Sequence, residues 1–155
     1  MPIVMNNVLG QIRMIAAGGD DRPAKARRLA ELVQKLGDYR WVGVYTVGAE
    51  TVSILGWSGP SAPEHPTFPI TRGLTGAAIQ QKQTIIVGDV RNDPRYLTAF
   101  GNTLSEIIVP VLDPSGTRVV GTVDVESERA NAFSARDRET IEQCAQAFLP
   151  LWLLG

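Results

Sequence analysis

Three carboxylates converge on the segment Ser105 to Ser127, SEIIVPVLDPSGTRVVGTVDVES. Two β-branched runs, Ile107 to Leu112 and Arg118 to Val125, flank Asp113-Pro114-Ser115-Gly116. Pro114 presets φ for a turn and Gly116 can take the positive φ of a short loop, so the segment reads as a β-hairpin. Side chains alternate along a strand. Val119, Gly121, Val123 and Val125 therefore share one face, and Val120, Thr122, Asp124 and Glu126 the other. With Leu112 facing Thr117 across the turn, the register brings Glu106 to about one residue from Asp124. Glu106, Asp124 and Glu126 would then gather at one end of the hairpin. Such a cluster is repulsive unless something cationic enters it. A ligand ammonium would serve, and so would Arg72, Arg91 or Arg95 from within the chain. The plain alternative is a solvated acidic face near a strand end. Paired carboxylates also suit hydrolysis, but nothing in this spacing argues for it.

Trp41 and Tyr45 are four apart on a strand and share a face, either as core aromatics or as a pocket wall. Arg72-Gly73-Leu74-Thr75-Gly76 opens a short helix and could offer free N–H groups to a carboxylate, or serve as a simple turn and cap. His65 stands in a Pro-rich stretch, where a solvated histidine is the ordinary reading. Cys144, between Ile141 and Phe148, fits a core thiol. One Cys and one His make a dedicated thiolate or imidazole metal site improbable and exclude an internal disulfide. No Walker loop, GxGxxG, HExxH or nucleophile elbow occurs, and no cofactor or metal is expected.

The 155 residues, 44% apolar and 20% charged, suit one globular domain with a real core. A net charge of −1 without a basic stripe argues against nucleic acid as a partner. The longest apolar run, Leu149 to Leu154, is broken by Pro150 and far too short to span a membrane. MPIVMNN has no charged residue ahead of its apolar ones, so a secretory signal is not expected and the cytoplasm is the default.

Elements that would position these residues follow in order. Val4, Val8, Ile12 and Ile15, then Leu29, Leu32, Val33 and Leu36, recur at helical spacing around Gly18-Gly19-Asp20-Asp21. Residues 1–20 are thus expected to form an N-terminal helical extension of a single domain spanning 1–155. Arg40 to Val47 and Thr51 to Trp57 alternate around Gly48-Ala49-Glu50, a first hairpin. Ser58 to Pro69 holds four prolines and reads as loop. A short helix, a strand from Thr84 to Val87 and a long polar loop from Gly88 to Thr103 precede the acidic hairpin. Ser134 and Asp137 resemble a capping box for a terminal helix with Ile141, Ala145, Phe148 and Trp152 on one stripe. Pro150 should kink or end that helix. Hairpins with helices at both ends make an antiparallel α+β sandwich.

After Ala24 the chain resembles a GAF domain along nearly all its length, and most resembles the free methionine-(R)-sulfoxide reductase branch. The matching pieces are Trp41-Val-Gly43-Val-Tyr45, Pro69-x-x-Arg72-Gly73-x-x-Gly76, Ser105-Glu106-Ile-x-Val109-Pro110 and Gly121-x-x-Asp124-x-Glu126-Ser127. Gly88 to Tyr96 looks instead like general signalling GAF domains. The resemblance implies a GAF-like (profilin-like) α+β fold: a central antiparallel sheet, N- and C-terminal helices on one face, and loops with a short helix over the other. It implies that Trp41, Tyr45, Glu106, Asp124 and Glu126 bind a free amino acid, with Glu126 where the family usually has Asp. Thr75 joins them as a ligand-binding position. The reductase's three thiol positions fall on His65, Thr75 and Ala99, so all three thiols are missing. Sulfoxide reduction by that route needs a thiolate to attack and a second thiol to resolve.

These residues support a stand-alone GAF domain that binds an amino-acid-like zwitterion without redox chemistry. Glu106, Asp124 and Glu126 would hold the ammonium, Trp41 and Tyr45 the apolar part, and the backbone from Gly73 to Gly76 the carboxylate. A second expectation is a regulatory module, dimeric through the N-terminal helix and the Leu151 to Leu154 tail, with a vestigial pocket. A third is residual reduction through Cys144. Three carboxylates are poor company for a cyclic nucleotide's phosphate, and no thiol is placed to tether a bilin.

Overall fold

Runs of alternating β-branched residues build one sheet. The structure, a computed structural model, describes residues 3–97 and 101–153. The strands are β1 (Trp41–Val47), β2 (Thr51–Ser58), β3 (Thr67–Pro69), β4 (Ile85–Val87), β5 (Ser105–Leu112) and β6 (Val119–Ser127). They lie in the order β3-β2-β1-β6-β5-β4, every neighbour antiparallel. β3 corrects the reading of the Pro-rich segment as loop alone. It is three residues long, sits at the sheet's edge and ends on Pro69, where a missing N–H does no harm to a ladder.

The acidic hairpin turns where expected, with Gly116 at φ 75°. Its register differs from the expectation, because Asp113 organises the loop. Asp113 Oδ1 accepts hydrogen bonds from the Thr117 and Arg118 N–H groups and the Ser115 hydroxyl. Leu112 consequently faces Val119, and a bulge follows, since Val111 faces Gly121. The extra residue, Val120, joins Val123 and Val125 in the helix-side core instead of sharing the acidic face. Glu106 comes to face Glu126, two positions beyond Asp124.

The helices are α1 (Ile3–Ala17), α2 (Arg22–Gly37), α3 (Gly73–Gln81), α4 (Ala135–Ala147) and α5 (Pro150–Leu153). Asp21 caps α2 by accepting from Ala24 N–H at 2.8 Å, and Asp38 closes it in the left-handed region. The capping box of α4 is present in both halves, Ser134 Oγ accepting from Asp137 N–H and Asp137 Oδ2 from Ser134 N–H. α2 and α4 pack on the sheet, while α1 packs against α2, α4 and α5. Because three helices surround α1, its buried face is Leu9, Ile12 and Ala16. Val4, expected on the stripe, is 68% exposed. α5 continues beyond Pro150, and the Trp152 ring lies over Gly121, where a Cβ would stand 2.0 Å from it. Trp152 Nε1 also donates to Tyr45 O at 3.2 Å.

One sheet face thus carries the main core, including Leu29, Val44, Ile107, Val123, Ile141 and Phe148. Two smaller clusters lie on the other face, Leu74, Ala78, Val87, Val90 and Ile108 beneath α3, and Trp41, Tyr45 and Val52 beside Phe68. No helix among the described residues is long and apolar enough to cross a membrane.

Candidate functional site

Alternation fixes where the acids point. Ile107, Val109, Val123 and Val125 face the helices, so Glu106, Asp124 and Glu126 face α3. Glu106 lies opposite Glu126 on neighbouring strands, and Asp124 follows on the same face of β6. One oxygen from each carboxylate lies within 4.8 Å of the others. All three are buried, Glu126 completely, so the reading as a solvated acidic face is corrected.

Of the arginines expected as internal partners, Arg91 and Arg95 are engaged elsewhere, while Arg72 lines the cavity beside the acids. Arg91 grips Asp89 through Nε and Nη2 at 2.9 and 2.8 Å, and Arg95 grips Asp93 in the same way at 3.0 and 2.7 Å. Arg40 pairs with Glu128 at 2.7 Å. Among the described residues no ion pair involves Glu106, Asp124 or Glu126. Burial, followed by the charges of Asp124 and Glu126, pushes Glu106 well above the ordinary carboxylate range. Burial and then Glu126 push Asp124 up in the same way. Glu126 is raised by burial, partly offset by the neighbouring Thr103, Glu106 and Tyr96 side chains and by the charge of Arg40. Asp124 Oδ1 and Glu126 Oε2 are buried without a hydrogen-bond partner. Crowding and burial both favour the neutral acids over three bare carboxylates.

A cavity of about 30 Å³ adjoins the acids. Glu106 and Asp124 form one wall, Arg72 to Thr75 another, and Tyr45, Phe68, His65 and Leu97 fill in the rest. Thr75 is buried in the first turn of α3, two residues inside the helix start rather than at its cap. Arg72 is the N-cap residue, yet no side chain caps this helix. Among the described residues the N–H groups of Gly73, Leu74 and Thr75 have no hydrogen-bond acceptor, so the positive end of α3 faces the acids. The volume is close to one water's share of liquid and suits an ammonium group. An all-oxygen donor set of this size could also hold a hard divalent cation.

Trp41 and Tyr45 share a face, as expected, and Gly43 between them gives their rings room. A Cβ on Gly43 would stand 2.3 Å from the Trp41 ring and 2.9 Å from the Tyr45 ring. Tyr45 reaches the cavity, and its hydroxyl is pushed well above its usual range by burial and then by Asp124, Glu126 and Glu106. Trp41 does not line the cavity. It packs on Tyr45 at 6.5 Å between ring centroids and donates Nε1–H to Ser61 O at 3.0 Å, anchoring the Pro-rich loop.

Of the positions where the resemblance puts the reductase's thiols, His65 and Thr75 line the cavity, while Ala99 lies outside the described residues. Cys144 is fully buried in the helix-side core, across the sheet from the acids, and burial pushes its thiol up to about 12. Sequence reasoning missed Phe68, Tyr96 and Leu97. Tyr96 donates its hydroxyl to Glu126 Oε1 at 3.4 Å. The signal was slight, an aromatic and a leucine closing a polar, Pro-broken run.

Comparison with known proteins places this arrangement. The chain is 29% identical over 138 residues to GAF domain-containing protein A of Dictyostelium discoideum, spanning 88% of this chain and 85% of that protein. It is 33% identical over 112 residues to the free methionine-R-sulfoxide reductase of Saccharomyces cerevisiae, covering 70% of this chain and 61% of the yeast protein. In structure it superimposes on the free methionine-R-sulfoxide reductase of Neisseria meningitidis in complex with its substrate. The TM-score is 0.83 and the identity 28%, covering 96% of this chain and 88% of the other. The GAF domain model itself matches residues 21–148, and the chain belongs to the GAF domain family.

Proposed function

We propose that this GAF domain binds a small amino-acid-like zwitterion as a sensory module and does not transform it by redox chemistry. The carrying observation is the two-signed cavity. Glu106 and Asp124 stand on one side, with Glu126 behind them, and the uncapped first turn of α3 stands on the other. An ammonium relieves the repulsion among the acids, and a carboxylate meets the free N–H groups and Arg72. The reductases among the relatives act on a free amino acid's sulfoxide, as their names state, which supports a ligand of that size and charge. The redox step is not carried over. The resemblance puts His65 and Thr75 at two of the thiol positions, and neither imidazole nor hydroxyl can run a thiolate–disulfide cycle.

A thermal-shift screen tests this with free amino acids, both epimers of methionine sulfoxide, small amines and Ca²⁺ or Mg²⁺. A ligand at 100 times its Kd adds about 2.7 kcal/mol, or roughly 5–10 °C in a domain of this size. Asp124→Asn should weaken a zwitterion by at least about tenfold, since a hydrogen bond to a charged group is worth about 1.5–3 kcal/mol. Silence with every zwitterion overturns the reading, and a shift with the metal ions alone reassigns the acids to a cation. Methionine sulfoxide turnover with a thiol reductant, lost in Cys144→Ser, would overturn the non-redox half.

A further inference from the structure

Beyond the small cavity lies an open cleft of about 750 Å³, lined by apolar Ile70, Ala77, Ile79 and Pro94 together with polar Thr71, Gln80 and Arg95. The two spaces share Arg72, Gly73 and Leu97. Of these, Arg72 is exposed and long enough to swing aside, and Gly73 has no side chain. Among the described residues shared by the two spaces, Leu97 supplies the apolar bulk. It lies directly over Gly73, where a Cβ would stand 3.1 Å from the Leu97 Cβ. Gly73 has a φ of 73°, a conformation that suits glycine, so the divide is thinnest where leucine covers it.

The approach to Leu97 is held in place. Tyr96 N–H donates to Asp93 O at 3.2 Å, and the Asp93 carboxylate in turn grips Arg95. The Tyr96 hydroxyl reaches Glu126, one of the three acids. These contacts fix the backbone so that the next side chain projects between cavity and cleft. The enclosed volume matches an ammonium, so the rest of a ligand extends past the α3 N-terminus, where a growing tail meets Leu97 before the cleft.

We propose that Leu97 is the specificity-determining residue of this pocket, limiting the length of zwitterion it accepts by separating the acid-lined cavity from the apolar cleft. The proposal rests on the zwitterion reading above. Its ligand class is the short α-amino acids, and with Leu97 reduced in size the class extends to unbranched, apolar-tailed ones.

Titration of glycine, alanine, norvaline and norleucine into wild type, Leu97→Ala and Leu97→Phe tests it. In wild type, affinity stops rising after the shortest members. In Leu97→Ala, each added methylene tightens binding about fourfold, the equivalent of about 0.8 kcal/mol per buried CH₂. Leu97→Phe holds the limit at the short end. Binding with the same dependence on length in wild type and Leu97→Ala overturns the role of Leu97 and leaves the zwitterion reading standing. Absence of binding across the series in all three proteins overturns the zwitterion reading instead. A crystal structure of ligand-free Leu97→Ala gives a readout independent of any ligand. The two spaces should merge, and if they stay separate the proposal falls.

Discussion

Replacing Glu106 with Gln is expected to raise the melting temperature of the ligand-free protein at pH 8 and to leave it unchanged near pH 4. Glu106 is buried opposite Glu126 with Asp124 beside it, and its pKa in the fold lies well above the ordinary value. In the unfolded chain the same group ionises near pH 4.3. Between those two values the folded state holds a proton that the unfolded state has released. Stability contributed by the group is therefore intact below the unfolded pKa and is lost as pH rises toward the folded one. The loss is about 1.4 kcal/mol for each unit of difference, and each kcal/mol is worth about 2–4 °C here. Gln keeps the shape of the protonated acid and does not titrate. Asp89, Asp93, Asp113 and Asp137, all lowered, work in the opposite sense at acid pH, so the difference between variant and wild type is the quantity to plot. A Glu106→Gln protein less stable than wild type at pH 8 would mean that an ionised cluster is already neutralised within the fold. On the proposed zwitterion reading, an ammonium would take over the role of the protons, and its affinity should rise with pH over the same window.

The second large effect is expected at Phe148. This ring is fully buried at the end of α4, among Ile141, Cys144, Ala145 and Leu151 in the helix-side core. Its N–H closes the helix onto Cys144 O and Ala145 O at 3.2 and 3.0 Å. Phe148→Ala removes a ring that the surrounding strands and helices cannot move in to replace. The cost is about 3–5 kcal/mol, against a total of roughly 5–15 kcal/mol for a domain. Urea denaturation followed by circular dichroism measures it, with Leu153→Ala, 48% exposed, as the control expected within about 0.5 kcal/mol of wild type. Equal effects at the two positions would show that the C-terminal segment is not part of the cooperative core.

Much of this architecture was legible because it follows from short-range rules. Period-2 runs gave the two hairpins, Ser134 and Asp137 gave the start of α4, and the stripe of Ile141, Ala145 and Phe148 gave its buried face. Acidic residues two apart on β6 had to share a face, and β5 had to bring Glu106 to them. Distance along the hairpin was less certain, because Asp113 widened the loop and Val120 slipped into a bulge, moving Glu106 onto Glu126. β3 was invisible for a different reason. Three residues cannot display a period, and the prolines around them argue for loop. Arg91 and Arg95 looked like free cations, but each has an aspartate two residues before it that captures it locally. Trp41 was read as a wall of the site because it shares a face with Tyr45, yet its indole N–H was already claimed by Ser61. The position of Leu97 depends on how a loop without periodicity folds over a helix, a tertiary contact that no local rule encodes.

The borders of the sheet carry a consequence for how this protein meets other copies of itself. β3 and β4, the outermost strands, are three residues each, and one ends on proline. A border that short offers an incoming strand few backbone donors and acceptors in line, so sheet-to-sheet growth into fibres has little to start from. Among the described residues the large apolar side chains left exposed are Val4 and Met14 of α1, Ile86 of β4 and Leu153 of α5. The longer strands β1 and β6 are paired on both sides, while β5 meets β4 only over Glu106 to Ile108. Edge-to-edge pairing through the sheet is thereby confined to short stretches of strand.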